Sequence, residues 1–237
     1  MSFMRSPGPS VRSSYGWRRV LVQFAGVLAA CSVALVAATA AQPAGAETPV
    51  KIVALGDSLT AGLGLPAKDG FVPRLQAALA ADGVAAEIAN AGVSGDTAAD
   101  GLARLDWSVP QGTDAVILEL GANDMLRGLK PQVTRDALDA ILQRLAARHI
   151  AVLLCGMRAA PNLGAAYGAE FARIFPELGA KYGVPLYPFF LDGVAADRKL
   201  LQPDGMHPNA AGVGVIVKRI LPQVKDLIAR AAAQRAS

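Results

Sequence analysis

From Ile52 onward, apolar runs of four to seven residues alternate with longer segments of helical periodicity, and this order admits few folds. Residues 52–55 (Ile-Val-Ala-Leu) read as a buried strand that stops at Gly56-Asp57-Ser58. Further strands are predicted over 85–91, 116–120, 151–154 and 184–190, with helices over 71–81, 131–149 and 171–182. In the 131–149 segment Val133, Ala137, Ile141 and Leu145 recur every fourth residue, joined by Leu138 and Leu142, which predicts one apolar helix face. A last helix is predicted from Asn209, a suitable cap, with Pro222 bending or interrupting it. Strands this short and this apolar, separated by helices, imply a parallel sheet covered on both faces and joined by right-handed crossovers.

The first 46 residues have a different character. Arg5, Arg12, Arg18 and Arg19 lie in a stretch rich in Ser, Gly and Pro, and no charge follows until Glu47. The apolar interval closes on Ala44-Gly45-Ala46. A basic head, an apolar middle and an Ala-x-Ala end make a secretory signal, so residues 1–46 are expected to be removed after Ala46 and residues 47–237 to form one domain. A retained anchor is the alternative, since the apolar interval is long enough to span a bilayer. Leu28-Ala29-Ala30-Cys31 offers lipidation at Cys31 as another, though the residues after it stay apolar. Arg18-Arg19 is a weak twin-arginine signal.

Removing that segment changes the charge balance. Four of the 23 basic residues precede Glu47 and all 19 acidic residues lie at or after it, leaving 19 of each. The formal charge of +4 thus belongs to the export signal and is no argument for nucleic-acid binding. Cys155 alone remains of the two cysteines, so no intramolecular disulfide is available to the domain. Its apolar surroundings mark it as a buried core residue, and a monomer held by its core is expected.

In a parallel sheet of this kind, ligands bind beyond the carboxyl ends of the strands. The groups that follow the strands are Gly56-Asp57-Ser58-Leu59, Ser94-Gly95-Asp96, Gly121-Ala122-Asn123-Asp124, and Asp204-Gly205-Met206-His207 in the loop before the last helix. Turns account for some of these glycines and carboxylates. They do not account for a hydroxyl, an imidazole, a carboxylate three residues from that imidazole, and amide donors gathered on one edge. Of the two histidines, His149 ends a helix at the opposite edge and reads as structural, which leaves His207 as the base. Asp204 is placed to orient its ring, and Ser58 to act as nucleophile. The Gly95 N–H and the Asn123 amide are suited to stabilising an anion.

These four blocks, in this order, resemble those of the SGNH (GDSL) hydrolase superfamily, and among its members the bacterial periplasmic thioesterase I, protease I, lysophospholipase and arylesterase group. Gly101-Leu102-Ala103-Arg104-Leu105 and Asp204-Gly205-Met206-His207-Pro208-Asn209 extend the likeness over nearly the whole domain. The resemblance implies a flavodoxin-like three-layer α/β/α sandwich with a five-stranded parallel sheet. It implies hydrolysis of carboxylic esters and thioesters through an acyl-enzyme on Ser58, lysophospholipids among the substrates, and no cofactor. It implies an oxyanion hole from Ser58, Gly95 and Asn123, with Asp57, Leu59, Pro161, Asn162 and Leu163 against the substrate. Two positions depart from the common pattern: Ala122 stands where a second Gly is frequent, and Leu163 where Tyr is more usual.

Two other readings use the same edge of the sheet. Asp57, Asp124 and Asp204 are the carboxylates a metal-dependent phosphohydrolase would need. A sugar O-acetylesterase would use the serine site unchanged. A phosphate-binding module is poorly supplied, because Gly62-x-Gly64 lacks its third glycine and no GxxxxGK[ST] occurs.

Overall fold

The computed structural model describes residues 48–236, so the expected export signal, the Ala46 cleavage point and Cys31 lie outside the described residues. Five parallel strands form one sheet in the order β2-β1-β3-β4-β5. They are β1 (Val50–Gly56), β2 (Ala86–Gly92), β3 (Ala115–Glu119), β4 (Ala151–Cys155) and β5 (Leu186–Tyr187). This is the flavodoxin-like order, in which the chain reverses direction between β1 and β3. Every residue of β3 and β4 is buried, which is why both read as apolar runs, broken only by Glu119 at the end of β3.

Helices α2 (Phe71–Ala81) and α8 (Ala210–Ala236) pack together on one face of the sheet. α3 (Ala98–Ala103), α6 (Pro131–Ala147) and α7 (Ala165–Tyr182) pack together against the other. Three shorter helices, α1 (Ser58–Ala61), α4 (Leu105–Ser108) and α5 (Ala122–Leu126), follow strands or loops at the carboxyl edge. Their four or five residues are too few to show a period, so the sequence did not reveal them. At the outer edge of β2 the Gln76 amide of α2 donates to the Ala86 carbonyl and accepts from the Ile88 N–H, occupying backbone groups that would otherwise be open to pairing.

The fifth strand is shorter than the predicted 184–190. Pro185 and Pro188 bracket Leu186–Tyr187, and neither has an N–H to give to a ladder. Pro222 does not interrupt the last helix: α8 runs unbroken from Ala210 to Ala236. With its amide turned to face them, Gln223 donates to the Arg219 and Ile220 carbonyls beside the proline, where the helix ladder is weakened. Five of the six residues predicted for the apolar face of α6 are buried: Ala137, Leu138, Ile141, Leu142 and Leu145. Val133 is exposed and Thr134 is buried in its place, because the Thr134 hydroxyl donates to Asp124 at 3.0 Å. His149 ends α6 in the left-handed conformation (φ 55°). Its N–H donates to Ala146 O, and that of Ile150 donates to Leu145 O, a paired closure of the helix end.

The close approach of α1 to the sheet depends on Gly92. A Cβ at that position would lie 2.3 Å from Ala61 N and 2.8 Å from the Thr60 carbonyl carbon, both backbone atoms that cannot swing aside. Gly168 of α7 has nothing within 4 Å. Gly92→Ala is therefore expected to lower both melting temperature and activity, by an overpacking cost of about 1–3 kcal/mol. Gly168→Ala is expected to leave activity unchanged and to stabilise by up to about 1 kcal/mol. Thermal melts and ester assays of the two variants check this, and a neutral Gly92→Ala would contradict it.

Candidate active site

β1 delivers its last residue, Gly56, to the carboxyl edge, and the chain turns at once into α1 with Asp57 as its cap. Asp57 Oδ1 accepts the Leu59 N–H at 2.9 Å, which fixes the turn and sets Ser58 as the first residue of the helix. The Ser58 side chain meets a residue 149 positions later: its Oγ lies 2.9 Å from His207 Nε2.

The loop that brings His207 there is tied down along its length. Leu201 and Pro208 form an antiparallel bridge, and the Gln202 N–H donates to His207 O at 2.8 Å. The Gln202 amide donates to Leu63 O just beyond α1 and to Pro208 O. Asn209 donates to Lys199 O and Leu201 O, and its Oδ1 accepts the Gly212 N–H, capping α8 as its residue type predicted. Within this frame Asp204 Oδ1 accepts the Met206 and His207 N–H groups at 2.9 and 3.0 Å. Asp204 Oδ2 lies 2.6 Å from His207 Nδ1. The Met206 N–H, followed by the His207 ring, holds the Asp204 carboxyl down at about 2. An ionised carboxylate at Nδ1 selects the tautomer with its proton there, leaving Nε2 to accept the Ser58 hydroxyl proton.

Neither the Ser58 nor the Gly95 N–H is taken up by a turn, cap or side chain among the described residues. Gly95 sits at φ 92°, in the left-handed region that favours glycine. The Asn123 Nδ2 group lies between two acceptors, Asp96 O at 3.0 Å and Asp57 Oδ2 at 3.1 Å. All three residues line one cavity together with His207.

Beneath Ser58 two acids are buried together. Asp57 and Glu119, the last residue of β3, are both without solvent exposure. Glu119 Oε2 accepts the Thr60 hydroxyl at 2.6 Å and, more weakly, the Asp57 N–H at 3.4 Å, while its Oε1 has no partner. Burial, and then the neighbouring Asp57 charge, push the Glu119 carboxyl well above its ordinary range. Burial raises Asp57 to about 6, against the opposing pull of the Leu59 N–H. Glu119 was not singled out from the sequence, yet a carboxylate closing the run Ala-Val-Ile-Leu is a signal in itself, since such strands rarely carry an unpaired charge into the core.

The cavity holds about 370 Å³. Asp57 and Leu59 line it, as expected, and its wall continues through Met125, Leu126, Leu191, Ala195, Ala196 and Leu201. Pro161, Asn162 and Leu163 are not among the lining residues; they form a short 3-10 turn with Pro161 and Asn162 exposed and Leu163 against the core. Leu191, Ala195, Ala196 and Leu201 supply that side of the cavity. Nothing in their types marked them out, because Leu and Ala in a loop after a strand read equally well as core. Ala196 is held at φ 67°, a strained conformation for a residue with a Cβ.

The three carboxylates of the metal reading do not converge. Asp124 is committed to the Ala98 N–H and the Thr134 hydroxyl, Asp57 to Leu59 and Asn123, and Asp204 to His207. No group of three or more His, Cys, Asp or Glu suited to a metal occurs among the described residues.

A serine, a histidine and an aspartate joined in sequence at the switch point of a doubly wound sheet define a hydrolase of the acyl-transfer type. The chain belongs to the GDSL-like Lipase/Acylhydrolase family, whose pattern matches residues 54–215. It is 38% identical over 188 residues to the esterase TesA of Pseudomonas aeruginosa, covering 79% of this chain and 92% of that one. It is 36% identical over 178 residues to thioesterase 1/protease 1/lysophospholipase L1 of Escherichia coli K12, covering 75% and 84%. Among solved structures, the SGNH-hydrolase family esterase AlinE4 is 46% identical with a TM-score of 0.65, covering 76% of this chain and 97% of that one.

The buried acid has a measurable consequence. Glu119 keeps its proton in the fold at pH values where the unfolded chain has released it, because its folded pKa is raised. Its contribution to stability is therefore greatest below about 4.5, the ordinary carboxyl value, and declines as pH rises toward the folded value, by about 1.4 kcal/mol per pH unit. Glu119→Gln retains an acceptor for Thr60 and removes this slope. Its melting temperature is expected to gain on wild type progressively between pH 5 and pH 8. A gap that stays constant over that range would show Glu119 to be ionised in the fold.

Proposed function

We propose that this chain is an exported serine esterase that hydrolyses carboxylic esters and thioesters through an acyl-enzyme on Ser58. The observation that carries this reading is the linked set Asp204–His207–Ser58, with contacts of 2.6 and 2.9 Å, at the mouth of an apolar cavity edged by uncommitted N–H groups. Ser58 Oγ attacks the acyl carbonyl carbon as His207 Nε2 takes its proton, and Asp204 stabilises the imidazolium. The Ser58 and Gly95 N–H groups receive the oxyanion. Asn123 adds a third donor by sharing the hydrogen that otherwise points to Asp57. His207 then returns the proton to the leaving alcohol or thiol, and water repeats the sequence on the acyl-serine.

The wall of the cavity bears on the substrate. Leu63, Leu126 and Met206, three of the exposed large apolar side chains, edge it at 45%, 53% and 50% exposure. Aliphatic lining of this kind favours an acyl chain over a sugar ring, whose hydroxyls need polar partners. The names esterase and thioesterase carried by the relatives agree with that choice. Residues 1–46, with their basic head and Ala-x-Ala end, support export and release of the domain. No helix among the described residues is long and apolar enough to cross a membrane.

A fluorophosphonate is expected to label the domain at Ser58, and Ser58→Ala to lose both labelling and ester hydrolysis. Asn123→Ala is expected to lower kcat by about 10²–10³-fold, the usual loss for one oxyanion donor. A loss under about threefold would remove Asn123 from that role. Turnover of aryl esters and acyl thioesters, graded by acyl length, identifies the preferred substrate. Full activity in Ser58→Ala would refute the mechanism.

A further inference from the structure

We propose that Arg104 is a positioning residue for this reaction: its guanidinium binds the end of β1, the end of β2 and the Asp96 loop into one unit, and so sets the spacing between the three oxyanion donors. The proposal rests on the assignment of Ser58, Gly95 and Asn123 as those donors.

Arg104 lies between α3 and α4, with only 15% of its side chain exposed. Its Nε donates to Asp96 Oδ2 at 2.5 Å. One terminal nitrogen donates to Ala91 O in β2 at 2.9 Å and to Ser108 Oγ at 2.8 Å. The other donates to Gly56 O at 2.9 Å. Gly56 is the residue before Asp57-Ser58, and its carbonyl also accepts the Val93 N–H at 3.0 Å. Asp96 follows Gly95, and its own carbonyl is one of the two acceptors that hold Asn123. A single planar group thus reaches the peptide that leads to the nucleophile and the loop that carries the second donor. Through Asp96 it also reaches the acceptor that aims the third.

Arg104 is not among the residues that line the cavity and makes no hydrogen bond to Ser58 or His207. Its contribution is geometric. The planar guanidinium holds four acceptors, Asp96 Oδ2, Ala91 O, Ser108 Oγ and Gly56 O, at set separations, which a lysine ammonium on a flexible stem does not reproduce. Oxyanion stabilisation is sensitive to such placement, since the donors must meet the position the oxygen reaches in the transition state. Ground-state binding of the acyl chain depends on the apolar wall, which Arg104 does not support.

Arg104→Lys keeps the charge opposite Asp96, and with it the stability of the buried pair, while losing the fork. Expected is a fall in kcat of about 10–100-fold on a short aryl ester, with KM within twofold of wild type and Ser58 still labelled by a fluorophosphonate. Introduced together with Asn123→Ala, the two losses are expected to combine to less than their product, because part of what Arg104 does is to aim Asn123. A residue that merely held α3 and α4 together would give multiplicative losses, or would lower melting temperature with kcat unchanged. Either result would overturn the proposal, as would kcat within threefold of wild type in folded Arg104→Lys. Where Arg104→Lys does not fold, Asp96→Asn, which keeps the Asp96 carbonyl and removes its charge, is read against the same outcomes. Asn123→Ala measured alone separates failure of the oxyanion assignment from failure of the Arg104 proposal.

Discussion

The contact on which the proposed chemistry depends is the 2.9 Å hydrogen bond between Ser58 Oγ and His207 Nε2. The two residues are separated by almost the whole folded domain, so each must be delivered to the same point independently. β1, second in the sheet and flanked by β2 and β3, delivers the serine. The loop before α8 delivers the imidazole, and the Gln202 and Asn209 side chains hold that loop against α1 and against itself. A loop is ordinarily the most mobile part of a fold. Here its backbone and side-chain polar groups are bound into the frame, which is what a general base needs if it is to stay within reach of its nucleophile.

The ground beneath the serine carries an electrostatic cost. Asp57 and Glu119 place two carboxyl groups where water does not reach, and both are pushed toward the neutral form. A well-packed apolar pair would be more stable. What the acids supply is direction. Asp57 holds the Leu59 N–H with one oxygen and the Asn123 amide with the other, and Glu119 secures Thr60 within the same short helix. Gly56 leaves room for this arrangement, since a Cβ there would lie 2.6 Å from Glu119 Oε2 and 2.1 Å from the Thr60 hydroxyl.

The proposed oxyanion region around Gly95 and Asn123 is likewise assembled from groups that have no hydrophobic reason to meet. Arg104 gathers the ends of two strands and one loop, and Arg127 donates to the Gly95 carbonyl at 2.7 Å from the outer side. The parallel sheet makes this economical. All five strands end at one edge, so short polar turns from different parts of the chain converge there without long connections.

That these polar blocks meet at one edge was legible from the sequence, because strands ending in Gly-Asp-Ser-Leu and Gly-Ala-Asn-Asp announce the carboxyl edge, and the chemistry of acyl transfer proposed for them demands these side chains. With one histidine left at that edge, His207 and its neighbour Asp204 followed. The sheet was legible from the alternation of apolar runs with helical periods. Three things were decided only in the folded molecule. The cavity beside Ser58 is walled by residues within 191–201 and not by Pro161–Leu163, since ordinary Leu and Ala say nothing of which cavity they face. Thr134 displaces Val133 from the buried face of α6, since a hydrogen bond to Asp124 outweighs a methyl's preference for the core. Glu119 and Arg104 acquire their parts only through neighbours 62 and 48 residues away. Periodicity and residue type record what each segment wants locally, whereas the partner of a buried charge is chosen by packing between segments distant in the chain.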